Sequence, residues 1–278
     1  MRKTLYKIII VIFPFFLLSC NSINYTTTKK DVLTKYTELK IFFSEEVKDS
    51  FYLYIRVPKN YEKENKSYPV LYLLDGDISF NMATSIVRYL QYAKDVPEII
   101  IVEIGYGSMM NDDKINYRER DYSISKNEML KLSGGGEKFL NFIKNELIPY
   151  IDKNYKTSDK RYLNGYSLGG LFAIYTLIKN INLFNGYIAG SPYLKNDIEQ
   201  LLSSSNNLDN YSGKIFVSFG ELESEHDYKI PIQNLTRNIK SVLKNDKKIK
   251  LQIFENGTHY SCPPEALTYG LQFIFSEN

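Results

Sequence analysis

Histidine and cysteine are scarce in this chain, with two of each among 278 residues. That scarcity removes whole classes of chemistry. His226, His259 and Cys262 are too few and too scattered to form a zinc-ligand pattern, so no metal is expected. Cys20 closes an N-terminal export signal, which leaves Cys262 without an intramolecular partner and the exported protein without an internal disulfide. A membrane-spanning run is missing too: the apolar stretch from Ile8 to Leu18 counts 11 residues and is interrupted by Pro14, whereas a helix needs roughly 20 to cross a bilayer. No excess of one charge remains either. The formal net charge of +3 is carried by Arg2, Lys3 and Lys7, and without them 32 basic residues face 32 acidic ones. No field is left to attract nucleic acid. Tryptophan is absent altogether, whereas tyrosine occurs 24 times.

What is present begins with the signal itself. Arg2, Lys3 and Lys7 precede the apolar run, which ends at Leu17-Leu18-Ser19-Cys20. A basic start and a short apolar middle are the marks of a secretory signal, and Leu-x-Ser-Cys resembles the bacterial lipobox, in which the cysteine is lipidated and becomes the first mature residue. The expected division is a signal peptide over 1–19, the lipidated Cys20 with a polar tether over 20–35, and one catalytic domain over 36–278. Such a protein would sit in the bacterial cell envelope, held to a membrane through Cys20.

Past the tether, Leu39, Ile41 and Phe43 share one strand face, and Phe51, Leu53, Ile55 and Val57 share another. Residues 45–49 between them read as a hairpin connection. The rhythm then changes to near-continuous apolar strands, at 70–74, 99–104, 162–166, 186–189, 215–219 and 251–254. Helical segments alternate with them, near 81–92, 137–154, 168–179, 196–203, 231–244 and 264–275. This pattern predicts an α/β protein with a mostly parallel central sheet, helices on both faces and an N-terminal antiparallel hairpin.

Between a strand and a helix in mid-chain lies Gly165-Tyr166-Ser167-Leu168-Gly169-Gly170, a G-x-S-x-G segment. A serine there sits on a sharp strand-to-helix turn, with glycines where a Cβ would strike neighbouring backbone, and is exposed for attack. A serine hydroxyl is a poor nucleophile at neutral pH and needs a base, commonly histidine. His259, past the last strand and before the last helix, has the position that the base takes in this fold, while His226 reads as a surface residue. The acid that orients the base should follow the preceding strand, in Gly220-Glu221-Leu222-Glu223. Glu223 is favoured, Glu221 is its nearer rival, and a Ser-His pair without either is a third possibility. Backbone N–H donors for an oxyanion are expected from Leu168, next to the serine, and from Gly76 or Asp77, after the early strand that ends at Leu74-Asp75.

Several segments together carry a family resemblance: Tyr68 to Gly76, Arg118-Glu119-Arg120-Asp121-Tyr122, Gly134 to Phe139, Glu146 to Ile151, Gly165 to Gly170, Ser191-Pro192 and Gly220 to Glu223. Over roughly 36–275 the chain resembles the esterase family of α/β-hydrolases, which includes esterase D type enzymes, feruloyl and acetyl-xylan esterases, and enterobactin-type siderophore esterases. The Arg-x-Arg-Asp and Gly-Glu-Leu-Glu segments are most similar to the siderophore trilactone branch. One departure is Asp75-Gly76, where many hydrolases carry His-Gly.

The resemblance implies a serine esterase that works through an acyl-serine intermediate without a cofactor, on a small ester that is either a siderophore trilactone or a feruloyl or acetyl sugar. Arg118 and Arg120 are candidates to bind an anionic substrate, or else to brace a loop by pairing with Asp121 and its neighbours. Tyr166 and Tyr260 are candidate substrate contacts. A reading of another class, a binding lipoprotein that keeps the fold without catalysis, is carried alongside.

Overall fold

In the computed structural model, residues 36–107, 115–128, 130–243 and 245–276 are described. The signal peptide, Cys20 and the tether lie outside the described residues. Strands β1 (Thr37–Ser44) and β2 (Asp49–Arg56) form the expected antiparallel hairpin, with Thr37 opposite Arg56 and Ser44 opposite Asp49. The turn is pinned by Glu146, whose carboxylate accepts from the Ser44 hydroxyl at 2.6 Å and from the N–H groups of Glu45 and Glu46.

From β2 the chain enters an eight-stranded sheet, completed by β3 (Tyr68–Leu74), β4 (Ile100–Gly105), β5 (Thr157–Tyr166), β6 (Gly186–Gly190), β7 (Lys214–Gly220) and β8 (Ile249–Phe254). Its order is β1-β2-β4-β3-β5-β6-β7-β8. The β2–β4 pairing is antiparallel, and every pairing from β4 to β8 is parallel.

The helices in chain order are α1 (Gly76–Ala93), α2 (Arg118–Tyr122), α3 (Gly136–Phe142), α4 (Ile148–Asn154), α5 (Leu168–Lys179), α6 (Ile198–Ser204), α7 (Ile230–Leu243) and α8 (Pro263–Phe275). A π-helical turn over Ile143–Leu147 fuses α3 and α4 into the single helical stretch expected there. Strand alternation divides the core in two. Val70, Tyr72 and Leu74 of β3 pack with residues of α3, α4, α5 and α7, while Leu71 and Leu73 pack with residues of α1 and α8. Helix α5 is buried on nearly every side, which is why its sequence is apolar without a polar stripe.

One face departs from what alternation alone suggests. Leu39, Ile41 and Phe43 do share a face, yet it is the outer one, with exposures of 54, 66 and 54%. It is Phe42, on the other face, that reaches the interior and packs against Phe142 and Tyr150. Among the described residues no helix covers the outside of β1 as α1 covers β3, so hydrophobic spacing at this sheet edge does not mark the buried side.

All the parallel strands point the same way, so their C-terminal ends gather Leu74, Tyr166, Gly190, Gly220 and Phe254 at one pole. In an open α/β sheet this is the pole where ligands bind.

Candidate active site

Ser167 stands between β5 and α5 with φ 58° and ψ −117°. A non-glycine residue held at positive φ is strained, and here the surroundings enforce it. The Ser167 N–H donates to the Gly190 carbonyl at 2.9 Å, and its carbonyl accepts from Leu171 and Tyr193. Gly165 is required by close approach, since a Cβ there would lie 2.1 Å from the Gly169 carbonyl oxygen. The second steric requirement falls on Gly170 rather than on Gly169 as expected. A Cβ on Gly170 would lie 2.8 Å from the Gly190 carbonyl oxygen, whereas one on Gly169 would meet Leu74 and Asp75 at ordinary contact distance.

The loop after β7 delivers Glu223 and the loop after β8 delivers His259. The His259 Nδ1 lies 3.3 Å from Glu223 Oε2. A hydrogen on Nδ1 directed at that carboxylate leaves Nε2 as the acceptor on the ring, the tautomer a general base needs. The other carboxylate oxygen, Oε1, accepts from the Ser191 hydroxyl at 2.6 Å and from the Gly220 N–H at 3.0 Å. Burial acts to raise the Glu223 pKa, but the hydrogen bonds from His259, Ser191 and Gly220 outweigh it and hold the carboxyl below its ordinary range.

Glu221 is corrected as a rival: its carboxylate is exposed and accepts from the Asn256 N–H at 3.0 Å, bracing the turn after β8 instead of meeting His259. The physical reason is the tight bend after Gly220, where the Glu223 N–H returns to the Gly220 carbonyl at 3.0 Å and brings the Glu223 side chain inward. His226 is exposed, on the π-helical turn Glu225–Lys229.

Tyr166 is built into the same network. Its hydroxyl donates to the His259 carbonyl at 2.7 Å and lies 2.9 Å from the Ser191 hydroxyl. With one hydrogen on each hydroxyl, three bonds cannot all be made at once, and the charged carboxylate is the strongest acceptor for the Ser191 hydrogen. His259 is ringed by tyrosines: Tyr228 at 4.7 Å between centroids, Tyr166 at 5.2 Å and Tyr260 edge-on at 5.5 Å. Tyr260 is 92% exposed at the rim.

Helix α1 opens at Asp75, which is held at φ 61°. The Asp75 carboxylate takes a two-pronged bond from Arg118, Nε to Oδ1 at 2.8 Å and Nη2 to Oδ2 at 3.1 Å. The N–H groups of Gly76 and Asp77 fall in the first turn and have no acceptor within the helix, as does that of Leu168 at the start of α5. Asp77's side chain turns away, accepting from the N–H groups of Tyr106 and Gly107 and from the Tyr54 hydroxyl, so only its backbone remains a candidate donor.

A cavity of 450 Å³ lies over Ser167 and His259. Leu74, Ile78, Met82, Pro263, Pro264 and Ala266 form its apolar walls, and Asp75, Ser79, Arg118, Asn164, Tyr166 and Tyr260 complete it. Arg118 and Arg120 therefore part company. Arg118 lines the cavity. Arg120 lies outside the cavity lining and is corrected as a substrate contact: it bonds Asp121 through Nε at 2.7 Å and Asp49 through Nη1 at 2.9 Å, and stacks on Tyr117. Two participants escaped sequence reading. Ser191 was visible only as part of Ser191-Pro192 at a strand end, and Tyr228 carried no pattern at all.

The family profile described as "Putative esterase" matches residues 44–250. The chain belongs to this family. It is a carboxylic ester hydrolase of the α/β-hydrolase fold. Among curated proteins it is similar to the ferri-bacillibactin esterase BesA of Bacillus subtilis, at 28% identity over 208 residues, 68% of this chain and 72% of that protein. Among solved structures it resembles the BES protein from Bacillus cereus, at 29% identity and a TM-score of 0.77, over 90% of this chain and 99% of that one. The siderophore hydrolase EstA from Aspergillus nidulans shares the fold, with a TM-score of 0.74 at 19% identity over 91% of this chain and 98% of that one.

Proposed function

We propose that this protein is a lipid-anchored esterase of the cell envelope that opens the ester bonds of a siderophore through an acyl-serine intermediate. The observation that carries the chemistry is the meeting of Ser167 and His259 at one cavity, from two different strand ends, with Glu223 from a third strand end against His259 Nδ1. Ser167 Oγ attacks the ester carbonyl carbon while His259 Nε2 takes its proton. The carbonyl π electrons move onto oxygen, where the N–H groups of Leu168 and of Gly76 or Asp77 receive the charge. His259 returns the proton to the departing alcohol oxygen, and water then repeats the sequence on the acyl-serine. Glu223 keeps the imidazole in the required tautomer and stabilises it when charged. Substrate class rests on the relatives, which are named as a ferri-bacillibactin esterase and a siderophore triacetylfusarinine C esterase. The anchor rests on Leu17-Leu18-Ser19-Cys20.

Hydrolysis of an iron-loaded trilactone, a feruloyl sugar, an acetylated xylan and a short aryl ester by residues 21–278, followed by mass spectrometry, tests the proposal. The trilactone is expected to be cleaved preferentially, and Ser167→Ala to lose about 10⁴-fold or more in kcat. Preferential cleavage of a sugar ester would move the protein to glycan breakdown. No turnover of any ester would promote the binding-protein alternative. Incorporation of labelled palmitate in cells, lost in Cys20→Ala, checks the anchor.

A further inference from the structure

The end of the sheet opposite the catalytic pole, where the parallel strands begin, carries a second cavity that the chemistry of Ser167 does not use. It has a volume of 530 Å³ and lies under the starts of β5 to β8, with Lys160 on β5, Asn185 before β6, Lys214 opening β7, and Asn245, Lys247 and Lys248 before β8. Lysines dominate this lining, and among the described residues no acidic side chain belongs to it. Two of the ammonium groups are held by neutral oxygens. Lys214 Nζ donates to the Ser276 carbonyl at 2.6 Å and hydroxyl at 2.9 Å, and Lys248 Nζ donates to the Tyr211 carbonyl at 2.7 Å. Lys160 has Asp159 at 3.7 Å, with both side chains exposed. Bonds to neutral oxygens place the charges of Lys214 and Lys248 without neutralising them. Ammonium groups gathered around a polar hollow fit a phosphate-bearing ligand.

Where the chain enters the domain says which one. Strand β1 is antiparallel to β2 and β2 is antiparallel to β4, so β1 runs with the parallel strands and Thr37 lies at the same end as the cavity. The 15 residues 21–35 join Cys20 to this end, and a chain of that length reaches at most about 50 Å. β1 and β8 are the two edges of the sheet, roughly 34 Å apart at ~4.8 Å per strand. Resting on the reading of Cys20 as a lipid anchor, we propose that this end of the sheet docks on anionic phospholipid, with headgroup phosphates seated between Lys160, Lys214, Lys247 and Lys248. The membrane then holds the domain at two places, at the β1 edge through the tether and beneath β5 to β8 through headgroups. A single attachment fixes no orientation, and two do. The catalytic cavity faces away from the bilayer. Strands of five to seven residues set it roughly 20 Å from the docked end. That is beyond the ~10 Å over which lipid charge acts at physiological salt, so the membrane does not oppose entry of an anionic ester.

Flotation of residues 21–278, which keep the compact unit Leu33–Asn278 entire and lack the acyl group, measures the surface without the anchor. The chain should float at low salt with vesicles of about 30% phosphatidylglycerol in phosphatidylcholine, and not with phosphatidylcholine alone or in about 0.5 M NaCl. Each lysine lost should weaken partitioning about fivefold, so the double variant Lys160→Gln, Lys247→Gln should bind about 25-fold more weakly. Both side chains are exposed, and the variant should keep the parent's melting temperature and aryl ester turnover. An environment-sensitive dye on Ser212→Cys, in the cavity lining, should shift to the blue on these vesicles. The same dye on Leu222→Cys, exposed at the catalytic pole, should not. Equal flotation with neutral vesicles, undiminished flotation of the double variant, or a blue shift at Leu222 instead of Ser212 would each overturn the proposal. So would lysine-dependent binding of glycerol phosphate by a chain that binds no vesicle, which would make the cavity a site for a soluble phosphate ester. Palmitate incorporation reports on the anchor separately. Its absence with lysine-dependent flotation intact would remove the anchor and leave the docking surface standing, whereas its presence without flotation would bring down the docking surface alone.

Discussion

Two buried carboxyl groups near the same pole of the sheet have opposite fates. Glu223, just past β7, has both oxygens occupied, by Ser191 and the Gly220 N–H on one and by His259 on the other, and is held ionised. Glu103, inside β4 and fully buried, receives among the described residues one hydrogen bond, from Ser79 at 2.8 Å, while its Oε1 has no partner among them. Burial drives its pKa well above the usual carboxyl range, Ser79 opposes that shift, and the nearby Asp75 adds to it. The same side chain at similar depth is thus held toward the ionised form in one place and pushed toward the neutral acid in the other. What separates them is the number of donors that the local backbone and hydroxyls supply.

Replacing each carboxyl by its amide in turn breaks the comparison most directly. Glu223→Gln should lower kcat by about 10³- to 10⁴-fold with the fold intact, because an amide no longer dictates which His259 nitrogen carries the hydrogen. Glu103→Gln in the same assay should leave kcat within a few-fold of the parent. Equal losses in the two variants would mean that ionisation at Glu223 is not what matters.

Ser191→Ala is expected to cause a smaller loss, about tenfold in kcat, by removing one of the hydrogen bonds that depress the Glu223 pKa. The carboxyl then protonates at higher pH, so the acid limb of the kcat/KM profile should move upward. A lowered rate with an unmoved limb would restrict Ser191 to packing.

Stability against pH sharpens the contrast further. The folded pKa of Glu223 is lowered, so its contribution is present above the ordinary carboxyl range and is lost as pH falls through the folded value. For Glu103 the folded pKa is raised, so stability is full below the unfolded value and declines as pH rises toward the folded one. Glu103→Gln should therefore gain on the parent as pH rises, by about 1–2 kcal/mol at pH 8 in urea titrations, with little difference at pH 5. A gap independent of pH would mean that the carboxyl does not titrate in this range.

Much of this was legible in the residues because strong local constraints set it. The G-x-S-x-G turn, the β-α alternation and the position of His259 after the last strand each follow from spacing, and α5 spans the predicted 168–179. What could not be read depends on partners far away in sequence. Arg118 and Arg120 are two residues apart and chemically identical, but one faces Asp75 in the cavity and the other faces Asp49 and Asp121, a choice made by the short helix α2. Phe42 rather than Leu39, Ile41 and Phe43 points inward because, among the described residues, helices cover one side of the hairpin edge and not the other. Ser191 and Tyr228 reach the site through loops whose course no periodicity encodes.

The smallest expected effect concerns Glu221, which lies two residues from Glu223 and yet is a solvent-facing brace. Among the described residues its carboxylate accepts from the Asn256 N–H alone, at a residue held at φ 54°, and a glutamine oxygen can accept the same bond. Glu221→Gln should keep kcat within twofold and stability within about 0.5 kcal/mol, measured beside Glu223→Gln in one preparation. If Glu221→Gln instead slowed catalysis a thousandfold, the loop after β7 would have to rearrange so that Glu221 reaches His259. The bend at Gly220 that turns Glu223 inward would then not describe the working enzyme.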